Sequence, residues 1–509
     1  MVKQIKRVNF LLIFILIVAA FFRFYNFLGL QYWSGDEEVL TATVRHIVWD
    51  KSPSLIVQNA NLGFGLGPYY MWFLSPLFYL FNFNVVALLS IASLTGIATT
   101  YLVYLGAKEL GSKRIGLLAS FFYASSFFIS IFDRRLFHLT LDPILSVVTF
   151  LALVKIIKKD YRFIPLLAIP IGFSFHSDAS LIILDIAIFA TWVIFRLPIL
   201  RKELLYFVLI IFLFLLPLGV AQVRYKGAVI GPIIKSLTRP VRGENITSIG
   251  FHTYSPGELI GTFSRVIFTT PSNFIEEHFF YSPPYPPPLF GNITKLFVII
   301  ISVISLAITL RKKRSPHLII WIMFLSFISG ILIFNLLFKG KFVQHYSMSF
   351  FPIFTIMLGQ TANWIYDRNK AIVLLFLTVY LSVNLYTLFN SSVRYPLNEK
   401  IKLVKSAIST IGKNNYAIYS SPDSYIQGGG WTELFTLQKH PSVKSYWYDY
   451  WDWIYQAYSL FPGPIQKQDP EKIVWIQKTD EPLQSTLPII SKSSYKDINI
   501  YVFDNNKIN

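Results

Sequence analysis

Long apolar runs recur along most of this chain and set the strongest constraint on its fold. Hydrophobic residues make up 54% and charged residues 14% of the 509 residues, a balance that excludes an ordinary soluble protein. The sequence therefore predicts a polytopic α-helical membrane protein with about 11 transmembrane helices. The runs that we assign as crossings of the bilayer hydrocarbon lie at 8–30, 85–106, 115–132, 139–157, 161–176, 178–195, 203–221, 295–310, 317–338, 345–366 and 370–389.

Charge and cysteine content narrow the function classes. The net charge of +19 would favour nucleic acid in a soluble domain, but here Lys and Arg cluster in short loops between apolar runs, where they set topology. We therefore expect no nucleic-acid partner. The chain has no cysteine, which excludes disulfides, thiolate metal sites and a cysteine nucleophile. The basic N-terminus before residue 8 resembles a signal sequence without a cleavage pattern, so we interpret 8–30 as a retained span.

The segment 68–81 decides the topology of everything after it. It is apolar but short for a crossing, and we expect Pro76 to break it. If it re-enters or lies in the interface, sixteen Lys and Arg residues of the short loops fall on one side and four on the other. A crossing would invert this count, so the positive-inside rule favours the non-crossing arrangement. The N-terminus is then cytoplasmic, and the outer loops 31–84 and 222–294 and the C-terminal region are extracytoplasmic, in a multi-pass plasma-membrane protein.

Three adjacent acids follow Trp33 just after the first span, and we call residues 33–38 the acidic corner. A carboxylate held at a membrane surface suits a general base, which must be positioned, partly desolvated and ionised near neutral pH. Acids also favour the N-terminus of a helix, here predicted at 36–48, and the local sequence leaves both interpretations open. We rank Asp36 first as base and Glu37 second, and we expect Glu38 to be a solvated neighbour.

Basic and aromatic residues at the predicted outer span ends are further candidates. Arg134 and Arg135 suit an anionic headgroup, because a guanidinium is a natural partner of phosphate; interfacial snorkelling is the alternative. Several histidines converging on one face would form a site, whereas each alone is more often interfacial. The other candidates at outer span ends are His138, His176, His345 and Tyr346.

Three polar residues lie inside spans or near their ends. Asp185 and Asn384 occupy predicted spans, where polar groups serve either function or hydrogen bonding between helices. Arg23 either snorkels to the interface or faces the same cavity as Asp36.

Two regions lie outside the spans. The loop 222–294 is either a lid over the substrate or an inert extended connector. Residues 390–509 read as a soluble α/β domain with a helix at 397–411 and strands at 416–419, 473–476 and 498–503. We expect the aromatic run 446–455 within it to pack or to rest at the membrane interface rather than stack on sugars.

The order of several short motifs resembles the GT-C class of integral-membrane glycosyltransferases, in particular the protein O-mannosyltransferase and aminoarabinose transferase group. The resemblance covers nearly all of residues 1–389, which form the predicted transmembrane catalytic domain. Its departures are Leu66, where the family often has His or Lys, and the additional acid Glu38. The motifs that carry it are Arg23-Phe-Tyr-Asn26 with Trp33 and Asp36-Glu37, Gly67-Pro68-Tyr69-Tyr70 with Leu74 and Pro76, Leu105 to Gly111, Asp133-Arg134-Arg135 with Asp142-Pro143, Phe175-His176, and His345-Tyr346 with Pro352.

This resemblance implies inverting transfer of a sugar from a dolichol- or undecaprenyl-phosphate carrier to a lipid, glycan or protein acceptor on the extracytoplasmic face. Asp36 would be the base, Glu37 would orient the acceptor or hold a cation, and Arg134 and Arg135 would bind the donor phosphate. No cofactor is assigned; a divalent cation and its ligands stay open. The substrate-binding residues implied are Tyr69, Tyr70, His138, His176, His345 and Tyr346.

Three alternatives stay open at this point. The first is an oligosaccharide transferase or ligase that uses a lipid-diphosphate donor. The second is a lipid or polysaccharide transporter, which the outer placement of the acidic corner and the lack of paired broken spans disfavour. The third is a C-terminal binding module on an inactive membrane anchor.

Overall fold

The computed structural model describes residues 10–51, 53–59, 65–177, 179–198, 200–227, 229–238, 256–272, 289–311, 315–338, 344–447, 469–483 and 485–505. The first half of the chain contains α1 (Phe10–Phe24), α2 (Gly35–Trp49), β1 (Gln58–Asn59), β2 (Gly65–Leu66), α3 (Tyr69–Leu80), α4 (Val85–Lys108), α5 (Lys113–Ser125), α6 (Phe127–Asp133), α7 (Asp142–Ile157), α8 (Ala168–Phe173), α9 (Ile182–Phe195), α10 (Arg201–Arg224) and α11 (Ile230–Thr238).

The second half continues the helices and adds a sheet. Short 3-10 turns precede α8, α9 and α15, at Tyr161–Leu167, Ala179–Leu181 and Gln344–Phe350. The remaining elements are α12 (Pro256–Ile267), α13 (Leu289–Arg311), α14 (Leu318–Phe338), α15 (Phe351–Tyr366), α16 (Lys370–Asn390), α17 (Leu397–Ile411), β3 (Tyr416–Ser420), α18 (Ser424–Gln427), α19 (Trp431–Leu437), β4 (Lys444–Ser445), β5 (Lys472–Lys478), β6 (Ile489–Tyr495) and β7 (Ile498–Asp504).

Every predicted crossing contains a helix, but fewer helices have the length of a crossing. Within the described ranges, four are long and apolar enough by themselves: α4, α10, residues 292–311 of α13, and α16. The bent pair α5 and α6 would make a fifth. The apolar helices α1 and α9 are shorter. The apolar helical framework is therefore present, whereas the number eleven stays a prediction.

Two sets of loops meet at opposite ends of the helices, as the predicted topology requires. At one end Glu109 pairs with Lys155 and Lys158, each at 2.9 Å, and Arg114 pairs with Asp367 at 2.8 Å. These loops were all assigned to the cytoplasmic face. The acidic corner and the loop after α6 meet at the other end. These contacts show which loops lie together; the membrane face on which each group lies stays a prediction.

The helix α3 is not broken at Pro76. Pro76 lies inside a continuous helix of 12 residues, so the prediction of a break there was wrong. At 1.5 Å per residue this helix is about 18 Å long, too short to cross the hydrocarbon. One face, with Tyr70, Leu74 and Phe78, is buried, whereas Phe73 is 54% exposed.

The break between α5 and α6 turns the chain towards the acidic corner. The two helices meet at an angle of 70°, which leaves the amide of Phe127 without its helical partner. Asn384 of α16 accepts that N–H at 2.8 Å and donates to the carbonyl of Ile267 at 3.1 Å. Asn384 therefore joins three segments through hydrogen bonds, which is the packing role that we left open for it. Asp185 lies half-buried in α9.

The described part of the loop 222–294 is helical rather than extended. Helix α12 places Phe263 among aromatic rings of α14 and α15, stacked on Phe354 at 5.1 Å between centroids and 5.9 Å from Phe327. The extended-connector alternative is thus wrong for residues 256–267. The residues considered for a lid at 239–255 and 273–288 lie outside the described residues.

The C-terminal unit is an α/β sheet that shares its core with the membrane part. The strand order is β4-β3-β5-β7-β6, with β3 parallel to β4 and β5 and with β7 antiparallel to β5 and β6. The predicted helix and three strands are confirmed, and Gly412 ends α17 at a φ of +65°. Its apolar side chains form one cluster with those of α2, α3 and α4. Tyr446 and Trp447 are buried; the rest of the aromatic run lies outside the described residues.

A buried ion pair fastens α1 to α6. Arg23 donates to Asp133 at 2.5 and 3.0 Å and to the carbonyls of Ala19 and Ala124, so it neither snorkels nor faces Asp36. Both side chains are at most 4% exposed. A Cβ on Gly96 of α4 would lie 2.5 Å from Arg23 Nε and from Asp133 Oδ2. The pair therefore occupies space that only glycine leaves free.

We expect Asp133→Ala to destabilise the protein by about 3–5 kcal/mol, because it leaves the Arg23 guanidinium buried without its partner. Adding Arg23→Leu should restore most of that stability, since the double variant buries no unpaired charge. Thermal unfolding of purified protein in detergent measures both. Arg162→Gln is the control, because the Arg162 side chain is 84% exposed in its pair with Asp160, and exposed pairs contribute little. Equal unfolding midpoints for Asp133→Ala and Arg162→Gln would contradict this account.

Candidate active site

The acidic corner is built as a helix start. Ser34 precedes α2, and Glu37 three positions later accepts hydrogen bonds from the backbone N–H and hydroxyl of Ser34 at 3.0 and 2.7 Å. This is the capping arrangement expected of a Ser followed after two residues by Glu. The helix-start interpretation is therefore correct for Glu37, and it fixes where the adjacent Asp36 points.

Arg135 binds two carboxylates of the corner at once. Its Nε donates to Glu37 Oε1 at 2.7 Å, and its Nη2 donates to Asp36 Oδ2 at 2.9 Å. The guanidinium is 1% exposed and lies over the ring of Phe137 at 4.4 Å. Because one positive charge faces two negative charges, this group carries a net charge of −1.

Asp36 is the member of the corner that reaches open space. Its side chain is 32% exposed, whereas that of Glu37 is fully buried. Burial opposes ionisation of Asp36, but Arg135, His138 and His345 together hold the pKa of its carboxyl below the usual value. Asp36 is therefore ionised at neutral pH. Its contribution to stability is present above about pH 4 and is lost as the pH falls through the lowered pKa.

Two histidines from separate segments complete this face. His138 follows α6, and His345 lies in the 3-10 turn before α15; their rings contact Phe137 at 5.4 and 5.9 Å between centroids. His345 is 8% exposed, and its Nδ1 has no hydrogen-bond partner among the described residues. Tyr346 stacks edge-on against His345 at 4.6 Å. The structure thus brings together Asp36, Glu37, Arg135, His138, His345 and Tyr346.

Arg134 points elsewhere. Its Nη2 donates to the carbonyls of Phe22 and Tyr25 at 2.7 and 2.9 Å, at the C-terminal end of α1. The side chain is 1% exposed. The two arginines are adjacent in sequence, but Arg135 contacts the acidic corner and Arg134 binds the end of a helix.

The Gly67 to Tyr70 motif builds the wall beside the corner. His176 accepts the N–H of Tyr69 at its Nδ1 and contacts the carbonyl of Phe214 through Nε2 at 2.9 Å, which fixes a neutral ring with the proton on Nε2. The hydroxyl of Tyr69 donates to Leu213, and that of Tyr70 donates to the carbonyl of Phe137 at 3.0 Å. These three predicted substrate-binding residues therefore have partners within the protein.

Glu38 was wrongly expected to be solvated. It is fully buried, and its Oε1 accepts the backbone N–H of Glu433 in α19 at 2.9 Å. The prediction failed because the sequence does not show that the C-terminal unit packs on this face of α2. Glu38 joins the acidic corner to that unit.

Sequence reasoning also missed the residues of the C-terminal unit that hold the corner. Lys400 donates to the carbonyls of Trp33 and Gly429 at 2.9 and 2.7 Å, and Trp33 Nε1 donates to Gly430 at 2.7 Å. Two signals were present. Lys400 occupies the apolar face of α17, and three glycines, 428–430, follow one another in a unit otherwise rich in larger residues.

A metal centre was left open, and the described residues add no ligand set. Among them no group of three or more His, Asp or Glu side chains is arranged to hold an ion.

One protein family matches part of the sequence. Residues 66–220 match the sequence model of the family described as dolichyl-phosphate-mannose-protein mannosyltransferase. That range contains the Gly67 to Tyr70 motif, Arg135 and His176, whereas the acidic corner precedes it. A search with the sequence finds no matching curated protein.

Solved structures match the fold over most of the chain. ArnT from Cupriavidus metallidurans bound to undecaprenyl phosphate is similar with a TM-score of 0.62 and 11% identity over 97% of each chain. The oligosaccharyltransferase of Archaeoglobus fulgidus in the apo form is similar with a TM-score of 0.50 and 14% identity, over 84% of this chain and 63% of that one. AglB from Archaeoglobus fulgidus, in complex with an inhibitory peptide and a dolichol-phosphate, gives a TM-score of 0.50 and 13% identity over the same shares.

These matches establish the fold. The chain has the GT-C fold, and the resemblance predicted from the order of its motifs is confirmed. With its apolar helices, this makes the chain a membrane protein. It spans less than two thirds of the archaeal oligosaccharyltransferase but nearly the whole of ArnT.

We expect Gly67→Ala to destabilise the protein by about 1–3 kcal/mol, as overpacking does, because its Cβ would lie 2.2 Å from Nδ1 of His176. His176→Ala removes the obstacle, so the double variant should be no less stable than His176→Ala alone. Unfolding in detergent measures this double-mutant cycle. Gly219→Ala is the matched control in α10, where no atom lies within 4 Å of the added Cβ. Additive losses would show that Gly67 and His176 do not interact in this way.

Proposed function

We propose that this protein is an inverting membrane glycosyltransferase that moves a sugar from a polyprenyl-phosphate carrier to an acceptor hydroxyl. The observation that carries the proposal is the ionised, part-exposed Asp36, held by Arg135 and flanked by His138 and His345. The GT-C fold and the partial match to a mannosyltransferase family support it. The undecaprenyl phosphate bound to ArnT and the dolichol-phosphate bound to AglB support a polyprenyl-phosphate donor.

The proposed step is a single displacement. Asp36 accepts the proton of the acceptor hydroxyl while that oxygen forms a bond to the anomeric carbon on the face opposite the phosphate. The bond from the anomeric carbon to the phosphate oxygen breaks, and its electron pair leaves with the polyprenyl phosphate. A phosphate leaves as a stable anion, so its charge needs stabilisation more than protonation. The lowered pKa makes Asp36 a weak base, which suits a proton transfer late in this displacement, when bond formation has made the acceptor hydroxyl more acidic.

The charge count limits how the donor phosphate can be held. Arg135 is already shared by Asp36 and Glu37, so the corner itself has a net negative charge and repels a phosphate. Arg135 therefore serves first to orient the carboxylates. Stabilisation of the phosphate would come from additional donors such as His138 and His345, whose Nδ1 has no hydrogen-bond partner among the described residues, or from a divalent cation. Tyr346, stacked on His345, would then line the same substrate space, and Glu37 acts by holding Arg135 and Ser34.

The proposed orientation puts the acidic corner and the C-terminal unit on the extracytoplasmic face of the plasma membrane, with the N-terminus in the cytoplasm. The charge distribution of the loops supports it. The acceptor would then be a lipid, glycan or protein outside the cytoplasm, and α3 would lie in the interface with Phe73 towards lipid.

We expect Asp36→Asn to lower kcat by about 10²–10⁴-fold, the range that a general base supplies, and to lower the unfolding midpoint only slightly, since an amide oxygen can still accept from Arg135 although the carboxylate charge is lost. Transfer is measured with the purified protein and labelled polyprenyl-phosphate sugars, in parallel with a polyprenyl-diphosphate oligosaccharide. Asp50→Asn, whose side chain is 52% exposed at the far end of α2, is the control. Full activity of Asp36→Asn would remove Asp36 as the base, and use of the diphosphate donor alone would favour an oligosaccharide transferase.

We expect a cysteine at Lys439 to react with a membrane-impermeant maleimide in intact cells and a cysteine at Lys159 to react only after lysis. Both positions are exposed, and the chain has no native cysteine to label. The cysteine-free parent gives the background. The reverse labelling pattern would place the acidic corner on the cytoplasmic face.

A further inference from the structure

The turn that carries Asp36 contacts the C-terminal unit along its whole length. Gly35 donates its N–H to the carbonyl of Gly428 at 2.7 Å, immediately before Asp36. Trp33, two positions earlier, donates its indole N–H to Gly430. The residues on both sides of Ser34 are thus held by one loop, residues 428–430, which is nearly 400 positions away in the sequence: Trp33 through its side chain and Gly35 through its backbone.

Lys400 adds hydrogen bonds to both sides of this contact. Its ammonium bridges the carbonyls of Trp33 and Gly429 and lies 4.9 Å from the centre of the Trp431 ring. The residue is 3% exposed. A buried ammonium is costly unless its protons are accepted, so its position ties the two carbonyls together strongly. The side chain spans the boundary between the acidic corner and the C-terminal unit.

The backbone at Gly430 lies very close to the ring of Trp33. Its φ of +73° is one that residues with a side chain rarely adopt, and a Cβ there would lie 2.4 Å from the Trp33 ring. On the other side of the corner, Arg45 of α2 pairs with Glu433 at 2.9 and 3.0 Å. The backbone of Glu433 in turn binds Glu38. The start of α2 is therefore fixed from two sides.

We infer that Lys400 and the loop 428–430 are positioning residues of the active site: they set the turn from which Asp36 meets Arg135. This inference rests on the proposed function for the role of Asp36. The hydrogen bonds described for Lys400 and the loop go to Trp33 and Gly35, so their effect on transfer acts through the turn of residues 33–35. A C-terminal binding module on an independent anchor would not need these contacts.

The test compares Lys400→Met with Lys402→Met on the same helix. Methionine keeps the apolar stem of Lys400 but removes its hydrogen bonds, whereas Lys402 is 69% exposed and pairs only locally with Glu399. We expect Lys400→Met to lower kcat by about 10- to 100-fold, as misplacement of a reacting group does, with the donor KM nearly unchanged. Hydrogen–deuterium exchange should rise in peptides covering residues 33–38. Lys402→Met should change neither, and Lys400→Arg should restore part of both.

The outcomes separate this inference from the proposed function. A folded Lys400→Met protein with wild-type kcat or with wild-type exchange at 33–38 would overturn the inference. A wild-type protein without transfer activity would refute the proposed function, and the exchange measurement would then still decide whether Lys400 holds the corner. If Lys400→Met does not fold, Trp33→Phe replaces it, because it removes the indole N–H that donates to the carbonyl of Gly430 in the same loop. It should produce a smaller change in the same direction, and no change in exchange or kcat would equally reject the inference.

Discussion

One guanidinium shared between two carboxylates organises the site. Arg135 is withdrawn from water against Phe137, and it holds Glu37 and Asp36 through separate nitrogens. A buried charge of this kind is tolerable only when its partners are fixed. Three sets of contacts hold these partners in place. Glu37 caps Ser34, the Arg23–Asp133 ion pair anchors α6, and the Tyr70 hydroxyl donates to the carbonyl of Phe137. These contacts leave Asp36 as the part-exposed carboxylate of the group.

The site divides into residues that face the open side and residues that support them. Asp36 and His138 are part-exposed and belong to the first kind, and His345 is buried beside them. Glu37, Tyr69, Tyr70 and His176, all candidates from the sequence, have their polar atoms engaged within the protein. The order of the motifs predicted residues of both kinds, because a motif contains supporting residues as well as residues that face the substrate. Only geometry separates them.

The sequence predicted the apolar helices, the strands of the C-terminal unit and the segment order, because hydropathy and alternation are local properties. The charge count also predicted that residues 36, 135 and 345 lie at outer span ends, but the sequence could not show that they converge. It could not show that Arg134 and Arg135 bind different segments, the end of α1 and the acidic corner. Nor could it show the burial of Glu38 or Lys400, because both are set by contacts between segments almost 400 residues apart.

That separation has a consequence for how the protein is made. The acidic corner lies within the first 40 residues and enters the membrane early, since chains are generally assembled from the N-terminus during synthesis. The hydrogen bonds from Trp33 and Gly35 to Gly430 and Gly428 form only after the last part of the chain has been synthesised and folded. A partly synthesised chain already contains Asp36 and Arg135 but lacks the loop that binds the residues before Asp36. Assembly of the acidic corner is thus completed only when the C-terminal unit has folded.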